Sequence, residues 1–139
     1  MNPKTAYPVI DMMEEQRKVK KKGGTMRLGA YKCDLQKGSL AEHLYGNEHI
    51  SERHRHRFEF NNTYIERFET AGMIATGRNP DNNLVEIVEV PAHPYFIGVQ
   101  YHPELKSTVD HPHPLFTGLV KAALDYKSKH KSSEKAVLN

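Results

Sequence analysis

The 139-residue chain has no tryptophan and a single cysteine, Cys33. One thiol cannot close an internal disulfide, which excludes a small secreted domain held by bridges, and it equally excludes zinc folds built on several cysteines. No apolar run approaches the roughly 20 residues that a membrane-spanning helix needs. No N-terminal stretch shows the charged-then-apolar pattern of a secretion signal. Together these absences point to a cytoplasmic chain without a membrane partner. Apolar residues are not scarce: they make up 37% of the chain, with nine glycines besides, which is near the globular norm and enough to build a core. The length suits one domain or part of a larger one.

Charge is +3 overall, from 20 Lys and Arg against 17 Asp and Glu with nine neutral histidines, but it is segregated. Residues 1–32 carry eight basic against three acidic side chains, residues 121–139 five against two, and the stretch between seven against twelve. Nucleic-acid binders normally carry their basic excess on the folded surface. Here Lys18, Lys20, Lys21, Lys22 and then Lys127, Lys129, Lys131 read as solvated linker and tail, and no nucleic-acid partner is expected.

Periodicity divides the chain into an N-terminal helix and basic linker (residues 1–24), a main body (25–128) and a polar tail (129–139) that frays beyond Ser128. The apolar spacing predicts a helix over residues 7–19, with Pro8 in its first turn. Strands are expected at 25–28 and 31–35. Ser39 and Glu42 form a capping box for a short helix that Gly46 ends. Residues 53–60 alternate with period two, placing Arg53, Arg55, Arg57 and Glu59 on one side and His54, His56, Phe58 and Phe60 on the other. Asn61 or Asn62 caps a helix to about Thr70, closed by Gly72. Residues 73–77 and 84–90 read as a hairpin around Asn79-Pro80-Asp81-Asn82-Asn83. Residues 96–101 form a buried-type strand, and Leu115, Phe116, Leu119, Val120, Ala123 and Leu124 give the apolar face of a final helix.

Three groups of residues bear on chemistry. Gln100-Tyr101-His102-Pro103-Glu104 follows an apolar strand. In extended chain His102 and Glu104 project to one side, and a carboxylate beside an imidazole fixes its tautomer and stabilises the imidazolium. That is the base and orienter of a nucleophilic triad; on spacing alone the plainer reading, a surface His-Pro-Glu turn, is preferred. Arg53, Arg55 and Arg57 make either an anion site, since guanidinium binds carboxylates bidentately, or a salt-bridge ladder with Glu52 and Glu59. His54 and His56 share a strand face, but no Asp or Cys is grouped with them as further metal ligands, and no metal is expected. His93, His111 and His113 each precede proline and read as loop residues. Cys33 lies in an alternating strand without the small residues of a nucleophile elbow. Asp34 beside it raises a thiol's pKa, so Cys33 reads as structural. Ser39, Ser51 and Ser107 also lack an elbow.

Several strings, in order and with suitable spacing, resemble the CTP synthase family. They are Gly-Gly-Thr-Met-Arg-Leu-Gly at residues 23–29, Glu-Arg-His-Arg-His-Arg-Phe-Glu at 52–59, Leu84-Val85-Glu86, His93-Pro94, Gln-Tyr-His-Pro-Glu at 100–104 and His113-Pro114-Leu115-Phe116. The resemblance runs from about Ala6 to Tyr126, over the C-terminal part of that family's glutaminase domain. The His-Pro-Glu string is shared across class I glutamine amidotransferases. The resemblance implies an α/β, flavodoxin-like layered fold, here its C-terminal half with a mixed sheet and flanking helices. It implies a Cys–His–Glu triad in which His102 is the histidine and Glu104 the glutamate, and it makes Arg57 the arginine that holds glutamine. The family makes CTP from UTP, ATP and glutamine as a homotetramer; its ATP and Mg²⁺ are used in a synthase domain that is absent here, so no cofactor is expected in this chain.

The family's nucleophilic cysteine, its oxyanion-hole glycines and a glutamate that contacts glutamine have no counterpart in this sequence. Met1 is accordingly expected to be an internal methionine of a longer chain, the isolated chain to be inactive, and loss of the preceding half to leave an unpaired apolar sheet edge. The alternatives are a non-catalytic regulatory or interaction module on the same scaffold, and an anion- or RNA-binding protein using Arg53, Arg55 and Arg57.

Overall fold

In a computed structural model, residues 4–12 and 26–137 are described, with side chains to His130. The central feature is a five-stranded antiparallel sheet formed by β2 (Arg27–Leu35), β3 (His49–His56), β5 (Ile74–Arg78), β6 (Val85–Glu89) and β7 (Ile97–Val99), in the order β3-β2-β5-β6-β7. A two-stranded ladder pairs β1 (Ile10–Met12) with β4 (Phe58–Phe60). Helices α1 (Leu40–Tyr45), α2 (Ile65–Thr70) and α3 (Pro114–Val137) complete the layers. The fold is the expected α/β class; in place of the expected mixed sheet, every ladder among the described residues is antiparallel.

Local signals realise α1. The Ser39 side chain accepts from the Glu42 N–H at 3.1 Å, the Glu42 carboxylate reaches the Gly38 N–H at 3.3 Å, and Gly46 closes the helix in the left-handed region. A non-local group completes the helix start. Glu89 on β6 is buried and accepts from the N–H groups of Leu40 and Ala41 at 2.9 and 2.8 Å and from the Thr76 hydroxyl at 2.8 Å. That carboxylate satisfies donors a helix start always leaves open.

Register explains the alternation of β3. His56, His54, Glu52 and Ile50 face Arg27, Gly29, Tyr31 and Cys33 of β2 on the inner side, while Arg55, Arg53 and Ser51 face Leu28, Ala30 and Lys32 outside. The core joins Cys33, Leu35, Ala41, Ile87, Tyr101 and Leu115. Gly77 is required where β5 passes over this core: a Cβ there would lie 2.6 Å from Ile87 Cγ1 and 2.9 Å from Cys33 Sγ.

Several expectations are corrected. The two strands at 25–28 and 31–35 are one, Arg27–Leu35. Residues 10–12 of the expected first helix are strand, because β4 supplies a ladder that local spacing does not reveal; residues 13–19, and the basic linker at 18–24, lie outside the described residues. The alternation at 53–60 breaks at Arg57, so Glu59 is buried instead of lying beside the arginines. The strand expected at 96–101 spans only Ile97–Val99, half-buried at the sheet margin. Among the described residues nothing pairs with its second edge. Finally, α3 continues past Ser128 to Val137. It packs through Leu115 and through Gly118, whose added Cβ would meet Leu44 Cδ2 at 2.6 Å. The expected apolar face, by contrast, leaves Phe116, Leu119, Val120 and Leu124 exposed.

Candidate functional site

The apolar strand β7 leads into Tyr101, which is buried and fixes the chain's exit from the sheet through a 2.9 Å hydrogen bond between its hydroxyl and that of Tyr45. The His102 N–H then donates to the Arg53 carbonyl of β3 at 2.9 Å. Proline at position 103 presets the backbone for a short 3₁₀ turn, Pro103–Lys106. That turn, and not an extended strand end, brings His102 Nδ1 to 2.7 Å from Glu104 Oε1. The side chains are 39% and 59% exposed. With Nδ1–H donated to the carboxylate, Nε2 of the partly exposed ring is left as a proton acceptor. The hydrogen bond from His102 holds the Glu104 carboxyl below its ordinary pKa.

Beneath the rim lies a buried polar layer. Arg27 Nη2 is 2.7 Å from Glu86 Oε1, its Nη1 is 3.5 Å from Glu59 Oε2, and its guanidinium lies over the Tyr31 ring at 4.3 Å. His54 Nδ1 is 2.7 Å from His56 Nε2, and His56 Nδ1 is 3.1 Å from the Phe58 carbonyl. A carbonyl only accepts, so His56 carries its proton on Nδ1 and His54 donates to its Nε2. Burial, with Arg27 and His102 nearby, pushes His54 down to about 3 and lowers His56 as well, so both are neutral. Burial also pushes Glu59 up to about 7 against the pull of Arg27, and raises Glu86. These histidines are structural acceptors and donors; among the described residues no group of three His, Cys, Asp or Glu side chains is arranged to hold a metal ion.

The arginine expectations resolve unequally. Glu52 turns inward to Tyr45, His113 and Lys106, and Glu59 to Arg27 and His56, so the salt-bridge ladder is not formed. Arg53 and Arg55 are exposed on the outer face of the sheet's margin. Arg57 sits at the break after β3, half-buried, with Nη2 3.8 Å from the Met26 sulfur. Among the described residues none of the three is ion-paired with a carboxylate. Arg57 lies beyond the end of β3, four residues past Arg53, whose carbonyl anchors His102, and among the described residues no hydrogen bond or ion pair links it to the His–Glu pair.

Cys33 is as expected a strand residue of the core, 1% exposed. Its thiol is pushed up to about 12, by burial first and by Glu86 and Asp34 after it, which leaves no thiolate for nucleophilic attack. His113 is a loop residue as expected, but it is buried, 3% exposed, with Nε2 3.1 Å from Glu52 Oε1 and 3.2 Å from the Tyr45 hydroxyl. The Pro114 that follows it opens α3, and a proline at a helix start, preceded by a histidine that ends a loop, is the one local signal of that role.

Residues 4–122 match the family model for "Glutamine amidotransferase class-I". The chain is 63% identical over 126 residues to a CTP synthase of Cytophaga hutchinsonii, covering 91% of this chain and 23% of the relative, and 56% identical over 136 residues to that of Christiangramia forsetii, covering 98% and 25%. It thus spans about a quarter of the length of the curated relatives it matches. Among solved structures, the glutaminase domain of a Trypanosoma brucei CTPS with bound acivicin superposes with a TM-score of 0.78 at 32% identity, over 88% of this chain and 48% of that one.

Proposed function

Because the chain belongs to the class I glutamine amidotransferase family and is homologous to the glutaminase domain of CTP synthase, we propose that it carries the base and orienter of a glutamine-hydrolysing site. In this reading His102 takes the proton from a nucleophilic thiol and returns it to the departing ammonia, while Glu104 holds its tautomer and balances the imidazolium. Arg57 binds the glutamine α-carboxylate, for which a guanidinium with no carboxylate partner among the described residues is suited. The observation that carries the reading is the 2.7 Å His102–Glu104 contact on an exposed turn, where Nε2 can meet a substrate and exchange protons.

The chain on its own is proposed to be inactive, since its only thiol is buried and held protonated, and triad members act as a unit. Ammonia passed on from such a site would serve a synthase domain outside this chain, as part of a cytoplasmic, homotetrameric CTP synthase. ATP and Mg²⁺ would be used in that domain, and no step of the glutaminase reading runs through them. Ammonia release from glutamine by the purified chain tests this: none is expected, and turnover that disappears in His102→Ala overturns the inactivity. A requirement for Cys33 would also overturn its structural role. A regulatory or interaction module on the same scaffold is the second reading, favoured by the exposed Phe116, Leu119, Val120 and Leu124 of α3.

A further inference from the structure

The turn that carries Glu104 is held with almost no apolar burial. Glu104, Leu105 and Lys106 are exposed, Leu105 by 49%, and His102 and Pro103 are only half-buried. A four-residue 3₁₀ turn does not hold one geometry by itself. An exposed imidazole–carboxylate contact is weak unless both groups are already in place. What fixes this turn is therefore polar, and it is visible at both ends. At the start, the Tyr101 hydroxyl meets that of Tyr45 at 2.9 Å and the His102 N–H meets the Arg53 carbonyl at 2.9 Å. At the finish, the Lys106 ammonium reaches back across the sheet margin to the Ser51 carbonyl at 2.7 Å and to Glu52 Oε1 at 3.4 Å.

Both ends are thus tied to one short stretch of β3, residues 51–53. Glu52 is immobile, being 1% exposed and also bonded to Tyr45 at 3.1 Å and His113 at 3.1 Å. Resting on the His102–Glu104 reading above, we propose that Lys106 is a positioning residue for that pair: its ammonium, clamped between the Ser51 carbonyl and the Glu52 carboxylate, closes the turn so that Glu104 meets His102 Nδ1. Lysine suits the task because a flexible stem lets its head reach the strand while three N–H donors serve a carbonyl and a carboxylate together.

The test is nitrogen NMR of the histidine side chains in the full 139-residue chain. Wild type should show His102 mainly as the Nδ1–H tautomer. Lys106→Met keeps the stem and removes the donors; it should lower the Nδ1–H to Nε2–H ratio roughly two- to fivefold, the scale of an exposed ion pair, while the His54 and His56 signals stay unchanged and report an intact sheet. Lys106→Arg, which retains charge and donors, should restore most of the ratio. An unaltered ratio in Lys106→Met, or no recovery with arginine, overturns the proposal. Glu104→Gln separates it from the reading on which it rests: if that variant leaves His102 unaltered, the His102–Glu104 pairing itself fails, whereas a response to Glu104→Gln without one to Lys106→Met defeats only the tether.

Discussion

Two histidine–glutamate pairs lie a short way apart and differ in almost everything except composition. His102 and Glu104 meet at 2.7 Å with side chains 39% and 59% exposed; His113 and Glu52 meet at 3.1 Å with 3% and 1%. Both histidines precede proline. The buried pair is part of a network in which Glu52 Oε1 meets Tyr45, His113 and Lys106, and Tyr45 meets Tyr101; His113 and Glu52 themselves are shut off from any substrate. The rim pair is joined by one hydrogen bond, and among the described residues the second His102 ring nitrogen has no hydrogen-bond partner. Burial turns the same two functional groups into scaffold; exposure leaves them available for proton transfer.

The largest expected effect falls on the buried pair. Glu52→Ala leaves the His113, Tyr45 and Lys106 donors facing an empty buried site and should cost about 3–5 kcal/mol, measured as a shift of the urea unfolding midpoint; a loss below about 1 kcal/mol would erase the distinction between the pairs.

A smaller effect concerns the buried layer beneath the rim. The fold holds His54 near 3 against an ordinary 6.5, so its stabilisation is complete above pH 6.5 and declines as pH falls toward about 3. Glu59 runs the other way: held near 7 against an ordinary 4.5, it contributes fully below pH 4.5 and loses that contribution as pH rises through about 7. The two oppose each other between pH 4.5 and 6.5. Glu59→Gln removes one side, so thermal stability of that variant should climb with pH across the window more steeply than in wild type. Parallel profiles would show that the two groups do not titrate as their surroundings require.

The smallest effect belongs to the rim. His102→Ala should leave the unfolding midpoint of the chain within the scatter of the measurement, because the pair holds nothing else in place. A clear loss of stability would make the rim pair a second structural pair and remove the basis for assigning it chemistry.

Much of the site is legible locally. Spacing around Pro103 foretells that His102 and Glu104 meet, although a 3₁₀ turn rather than a strand end brings them together. The period-two pattern foretells that His54 and His56 share a side, and Asp34 and the lack of glycine mark Cys33 as structural. What stays hidden depends on partners distant in the chain. Glu59 is turned inward by a break at Arg57 and received by Arg27, 32 residues away. His113 finds Glu52 at a separation of 61 residues. The Ile10–Met12 segment becomes strand only because Phe58–Phe60 lies beside it. On α3 the apolar stripe is visible, but the side that packs is chosen by Gly118, where the missing side chain admits Leu44.

By itself the sequence determines the capping of α1, the β5–β6 hairpin, the residue strings whose resemblance to CTP synthase implies the α/β class, and the absence of a usable thiol. These depend on neighbours within a few residues, where backbone preference and side-chain spacing act directly. Only the tertiary structure decides which histidine–glutamate pair is scaffold and which is exposed, because exposure is a property of everything packed around a group, and nothing in His102-Pro103 or His113-Pro114 encodes it.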